Sequence, residues 1–403
     1  MQATTQQIGY LSSFPSLAMV IISLLAPMLA ESVGNRRVFL LIADLIFALL
    51  WLPILAVPFL FHNNQVWWLI LFITLSTAAS GVIGPPWSAM MADLTPLELR
   101  GSYFGIRTLI GNFVSLVFSF VAAGLLQIFT NNTRLAFAIV FAGATLGRLV
   151  SLFYLSRMSQ PHPALDQNTP QESIPQMARS LFSTNIGRFI VFVIFLNLAQ
   201  NIAAPFFSAY LLSELKVSYI NYQIINATAV VVAILTVAWW GKRADKAGNI
   251  KILRITAMMV PFVSLLWLIN SSVVWLCATQ VYSGFAWAGF NLCAGLFIWD
   301  AAPRENRTRY IALFVGLGAV GLTLGSLIGG DLGPYLPKIS GSYFLSIFLL
   351  SGIVRLVVVA GLFRRISEVR NVQTVRTTEL LFGGLRPAAL ATWWRKIYDR
   401  TRW

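Results

Sequence analysis

The chain has 403 residues, 57% of them hydrophobic and only 11% charged, where an average soluble domain carries roughly 25% charged residues. That balance excludes an ordinary soluble fold. The formal charge of +15 would suit nucleic acid, but the Lys and Arg sit in short segments between apolar runs, which is the topology signal of an inner membrane.

Eleven apolar runs are long enough to cross a bilayer, which takes about 20 residues. They lie near 8–30, 38–61, 66–91, 104–129, 134–155, 188–212, 217–240, 251–269, 273–299, 309–329 and 342–363. An all-α integral membrane protein with eleven spans is expected. The segments 31–37, 92–107, 156–188, 241–254 and 300–309 carry fifteen Lys and Arg, and the tail from Arg364 carries nine more. The opposite set carries three: Arg134, Lys216 and Lys338. By the positive-inside rule the rich set and the C-terminus are cytoplasmic, and an odd number of spans puts the N-terminus outside. The opening residues from Met1 to Gln7 lack the positive start of a signal peptide.

In chain order, the first run ends in a tight turn from Ala30 to Arg37, with Glu31 three residues before Gly34 and Arg36 following. The seventh ends in a similar turn, Gly241 to Lys251, with Asp245 three residues before Gly248. The glycine supplies positive φ for a reversal, and the carboxylate can stabilise a helix N-terminus or pair with an Arg. The second span holds Asp44 about two turns from its cytoplasmic end. An intramembrane acid is a functional candidate by default, but at this depth a structural role, reaching the interface or pairing with a loop Arg, is the preferred reading and proton coupling the alternative. The third span carries Thr77 and Ser80, then Pro85 and Pro86, which remove two backbone donors and should bend or loosen the helix.

The stretch from Ala92 to Gly105 has a twin from Asp300 to Tyr310. Asp93 falls on Asp300, Pro96 on Pro303, Glu98 on Glu305, Arg100 on Arg307 and Tyr103 on Tyr310, all at an offset of 207. Five matches in one frame indicate a duplication, and duplicated halves in an apolar chain point to a transporter. Arg148 and Arg355 share the offset; snorkelling to lipid phosphates is the preferred reading for both, a gate contact the alternative. The fourth span carries Gly111, Ser115, Ser119 and Ala123, and the tenth Gly321, Gly325 and Gly329, at steps of four, as close helix packing requires.

Residues 156–187, with Pro161, Pro163, Pro170 and Pro175, read as a cytoplasmic linker between an N-terminal half (1–155) and a C-terminal half (188–363). A basic tail follows (364–403), whose end from Ala388 to Trp403 suits a helix lying among lipid headgroups. No catalytic constellation is present. The two histidines, His62 and His162, both fall in loops, and phosphate-loop and zinc-protease patterns are absent. The expectation is a protein that is not an enzyme and uses no cofactor or metal. Cys277 and Cys293 lie about 24 Å apart on one predicted helix and cannot pair.

Uncharged polar groups in mid-span are costly toward lipid and should face one another or a cavity. They are Thr77 and Ser80; Asn197, Gln200 and Asn201 on one face of the sixth span; and Gln280, Ser283, Trp287 and Asn291 at steps of three and four on the ninth. These are the candidate substrate-cavity residues, with interhelical hydrogen bonding the alternative.

The two turns resemble the loop motif of the major facilitator superfamily, Gly-x-x-x-Asp-(Arg/Lys)-x-Gly-x-(Arg/Lys)-(Arg/Lys). The second copy, Gly241 to Lys251, matches well; the first has Pro27 for the leading Gly and Glu31 for the Asp. The hinges at Asp93 and Asp300 resemble that family's loops after helices four and ten. The resemblance implies a two-half helical bundle that moves a small organic solute by alternating access, with the duplicated motifs governing the switch. The stripes of small residues would then lie where the halves slide. It also implies twelve helices, so the chain reads as beginning just before the second, whether through a late-placed start or true shortening. Thr77 stands where many proton antiporters of the family carry an Arg, and the Gly-Pro-x-x-Gly-Gly motif of helix five is absent, which weakens a drug–proton antiporter reading. The other partner expected is membrane lipid, with no nucleic acid, and the protein is taken as monomeric. The alternative function is a transport-inactive, transporter-like sensor or scaffold.

Overall fold

The computed structural model describes residues 3–33, 35–61, 63–94, 100–158, 183–302 and 307–370. Its helices are α1 (Thr5–Val33), α2 (Arg36–Leu49), α3 (Trp51–Leu60), α4 (Gln65–Leu94), α5 (Arg100–Ile128), α6 (Thr133–Leu155), α7 (Asn185–Asn201), α8 (Ala204–Ala209), α9 (Tyr219–Ala247), α10 (Asn249–Leu266), α11 (Val273–Ala301), α12 (Arg307–Leu332) and α13 (Tyr343–Leu362). Ten segments are long and apolar enough to cross a membrane, with α2–α3 counting as one and α7–α8 with the turn after it as another. The 29-residue α1 is an eleventh long helix. Most of the linker and the tail beyond residue 370, including the expected headgroup helix, lie outside the described residues.

Short polar residues set the helix starts, because their side chains accept from backbone N–H groups of the first turn that have no intrahelical partner. Asn35 does so for α2, Asn132 for α6, Thr184 for α7, Ser218 for α9, Ser272 for α11 and Ser342 for α13. Gly248 joins α9 to α10 at φ 86°, in the region where an L side chain is strained. That is the turn its motif required. α4 continues as one helix through Pro85 and Pro86. The breaks come elsewhere. α2 gives way to α3 at Leu50, shortly before Pro53, and α7 to α8 over residues 202–203, just before Pro205.

The offset of 207 carries α4 onto α11, α5 onto α12, α6 onto α13, α2–α3 onto α10 and most of α1 onto α9. α7 packs against both α12 and α13, and no N-half helix among the described residues corresponds to it. The packing reflects this. Within the hydrophobic windows of α5 and α6 only 6% and 11% of residues are buried, against 56% for α7, α10 and α11. The C-terminal half therefore holds the two large apolar cores, one around Phe189, Phe192, Trp240 and Phe297 and one around Phe206, Tyr210, Trp267 and Phe348. The N-terminal half holds a smaller one around Leu40, Met90 and Leu155.

The halves meet along two seams that the duplication relates, α1 against α12 and α5 against α9. Between described residues, four hydrogen bonds cross them. Tyr10 Oη bonds Asp331 Oδ1 at 3.1 Å, Ser13 Oγ donates to the Thr323 carbonyl at 3.2 Å, Ser326 Oγ donates to Ser12 Oγ at 3.3 Å, and Gln223 Nε2 donates to Ser119 Oγ at 2.7 Å. All lie toward the end of the bundle whose loops are poor in Lys and Arg. Gly9 permits the first seam: a Cβ there would stand 2.7 Å from the Ser326 carbonyl oxygen and 3.0 Å from Gly330 Cα.

Only one of the two small-residue stripes lies on a seam. Ser119 of α5 reaches the opposite half, but Gly321, Gly325 and Gly329 press on the α7 backbone at Ile194, Leu198 and Ile202, within their own half. On α12 the face that meets the other half is the one carrying Thr323, Ser326 and Gly330. Four-residue spacing marks a close approach; it does not name the partner.

Candidate functional site

Two polar cavities open inside the helices, one in each half. The first, of about 310 Å³, lies in the C-terminal half. Gln200 enters it from the end of α7, Ser208 from α8, Asn226 from α9, Gln280, Ser283 and Trp287 from α11, and Arg355 from α13, with Phe207 and Trp267 as apolar wall. The broken helix is what shapes it. Over residues 202–203 the α7 ladder shifts, and the Ala203 N–H turns to the Gln200 carbonyl. The Ala199 carbonyl, left without its helical donor, accepts from Ser351 Oγ at 2.6 Å. Arg355, one turn along α13 from Ser351, donates Nη2 to the Gln200 carbonyl at 3.3 Å and Nη1 to the Val260 carbonyl of α10 at 3.2 Å. Carbonyls at a helix C-terminus are a favourable place for a cation.

The snorkelling expectation fails for Arg355. The residue is 1% exposed and turns inward. Arg148, its duplicate, is a third exposed on its side chain and pairs with Asp44, which is 4% exposed, at Nε–Oδ1 3.2 Å. The Arg148 guanidinium also covers the Phe47 ring at 4.2 Å. This pair lines the N-half cavity of about 550 Å³ with Ser80, Trp87, Arg107 and Tyr154. Arg107 sits over Trp87 at 4.2 Å.

Of the expected cavity residues, Gln200, Gln280, Ser283 and Trp287 surround one space, and Ser80 lines the other. Thr77 is half-buried, and its carbonyl accepts from Ser80 Oγ at 2.7 Å. Asn197 and Asn201 turn toward α12 instead: Asn197 Nδ2 donates to the Gly318 carbonyl at 3.3 Å, and Asn201 Nδ2 to the Asn197 carbonyl at 3.3 Å. Asn291 is exposed. Asn226, Ser208 and Arg355 were not singled out as cavity residues by the sequence. Only Arg355 had a signal, its duplicate at offset 207.

Of the motif residues, Gly34 lies outside the described residues, as do the side chains of Glu31, Arg36, Asp93, Arg100 and Arg307. Asp300 Oδ2 accepts from Asn249 Nδ2 at 2.7 Å and lies 3.5 Å from Arg370 Nε, tying the end of α11 to the start of α10. Gly241 faces Leu292 of α11, where a Cβ would make an ordinary contact at 3.6 Å. Asp245 is exposed. The acceptor at the α10 N-terminus is Glu368, which takes the Ile250 N–H at 2.8 Å. Among the described residues no group of His, Cys, Asp and Glu could hold a metal ion.

Among solved structures, the fold is similar to a point mutant of the nucleoside transporter NupG at TM-score 0.71 and 15% identity, over 90% of this chain and 92% of that one. It is similar to a D-xylose-proton symporter at TM-score 0.71 and 13% identity, over 92% and 90%. A bacterial homolog of the human lysosomal transporter Spinster, in an inward-facing and occupied conformation, is similar at TM-score 0.63 and 16% identity, over 90% and 89%. No curated protein matches the sequence. The family model of the Major Facilitator Superfamily matches residues 1–199 and again 189–400. The chain belongs to the major facilitator superfamily.

Proposed function

We propose that the protein is a secondary transporter that carries a compact organic solute across the inner membrane by rocking its two halves. The observation that carries this reading is that the hydrogen bonds between the halves, among the described residues, all lie toward one end. Four hydrogen bonds and the Gly9–Gly330 approach hold the cation-poor end. Solute enters from the cation-rich, cytoplasmic end in this state. Closing that end requires new contacts there, and the motif carboxylate Asp245, exposed in this state, is assigned to them. The polar cavity beside α7 and α11 is the substrate site, at the small end of the 300–1,000 Å³ usual for ligand pockets. The transporters of nucleosides and xylose that share the fold support a solute of that size.

The test needs no known substrate. With Cys277 and Cys293 replaced by Ala, spin labels at Arg157→Cys and Lys246→Cys report the distance across the cation-rich end in lipid nanodiscs. Two distance populations are expected, and Asp245→Asn should shift them toward the longer. A single population, unmoved by lipid, pH or Asp245→Asn, would overturn alternating access and favour a transport-inactive scaffold.

A further inference from the structure

Resting on the transporter reading, we infer that the solute is a compact organic carboxylate whose charge is met by Arg355. Among the described residues, the cavity beside α7 is lined by one cationic side chain and no acidic one. Arg355 is 1% exposed, and between described residues it forms no ion pair with any carboxylate. At the same offset that makes Arg148 its twin, Asp44 falls on Lys251, so the duplication supplies no acid to the second arginine. Burying an uncompensated charge is unfavourable unless something in the site balances it.

The guanidinium has five N–H donors. Two go to the Gln200 and Val260 carbonyls, while Nε is buried without any hydrogen-bond partner. Arg148, whose guanidinium faces Asp44, also leaves its Nε without a hydrogen-bond partner, so what sets Arg355 apart is that, among the described residues, no carboxylate stands beside it in the cavity it lines. The amides of Gln200 and Gln280 also line that space and have no side-chain partner among the described residues. A carboxylate accepts from an arginine in strong, charge-assisted hydrogen bonds, and the two free amides suit a hydroxyl or carbonyl elsewhere on the molecule. Phe207, Trp267 and Trp287 add an aromatic wall beside the uncharged polar groups of Ser208, Asn226 and Ser283. One guanidinium balances one negative charge, which favours a monoanion over a phosphate dianion.

The experiment uses the purified full-length protein in detergent and measures thermal unfolding. The probes are lactate, pyruvate, benzoate and salicylate, each set against its primary amide, with inorganic phosphate as a separate arm. At least one carboxylate should raise the unfolding temperature while its amide does not. Arg355→Gln should weaken that carboxylate's apparent affinity at least tenfold, and Arg355→Lys should restore part of it. Ser351→Ala removes the neighbouring bond to α7 without entering the cavity. It should leave the affinity within about twofold, which separates charge recognition from support of the helix break. Stabilisation by amide and carboxylate alike, by phosphate alone, or by none of the probes would overturn the inference. The wild-type pairs decide the matter even if Arg355→Gln fails to fold. The spin-label distances read the rocking of the halves independently, so carboxylates can fail here while alternating access stands.

Discussion

Arg148 and Arg355 occupy the same place in the two halves, yet one faces a carboxylate and the other faces backbone carbonyls. Asp44 lies 3.2 Å from Arg148, whereas Arg355 reaches the carbonyls of Gln200 and Val260. The divergence follows from two local differences. Lys251 stands at the position corresponding to Asp44, and the end of α7 offers Arg355 the Gln200 carbonyl while α10 offers that of Val260. One ancestral cation has become half of an ion pair in the first copy and a cavity donor in the second.

The Asp44–Arg148 pair should be asymmetric under mutation. Asp44 is 3% exposed and would remain as a buried, uncompensated charge in Arg148→Gln, at a cost of about 3–5 kcal/mol. In Asp44→Asn the long Arg148 side chain, already a third exposed, can move toward the interface, and the loss should be only about 1–2 kcal/mol. Thermal unfolding of the two single variants and the double variant in detergent measures the difference. Equal losses would show that the carboxylate is not held in the low-dielectric interior.

The two glycine stripes should respond differently to a single methyl. Gly321 presses on the Ile194 carbonyl of α7, while nothing stands within 4 Å of a Cβ at Gly111. Gly321→Ala should therefore force α12 away from α7 and cost about 1–3 kcal/mol. Gly111→Ala should be neutral or gain about 0.5–1 kcal/mol from helix propensity. Unfolding midpoints for both variants test this, and equal destabilisation would mean that α5 has a close partner in the native membrane.

Orientation is open to direct labelling. With both native cysteines replaced by Ala, a membrane-impermeant maleimide applied to whole cells should modify Asn63→Cys and leave Lys246→Cys untouched until the membrane is opened. Both positions are exposed, so failure to react would not reflect burial. Reaction at Lys246→Cys from outside would invert the assigned topology and place the cation-rich loops on the outer face.

The sequence by itself determined the class, the number of long helices and the two-fold repeat. These depend on local quantities that a linear reading contains: apolar run length, the placing of Lys and Arg, and five residues matched at one offset. The turn at Gly248 was legible for the same reason, since positive φ is a property of one residue. Only the tertiary structure decided which way the polar groups face. Asn197, Gln200 and Asn201 share a helix face by spacing, yet the first and last turn to α12 and only Gln200 reaches the cavity. Their environment depends on where α12 and α11 stand around α7, and helical periodicity carries no record of that. Arg355 is the sharpest case. A lone arginine in a terminal span ordinarily reaches for headgroups, and here the Gln200 carbonyl at the break before Pro205 and the Val260 carbonyl of α10 hold it in the interior instead.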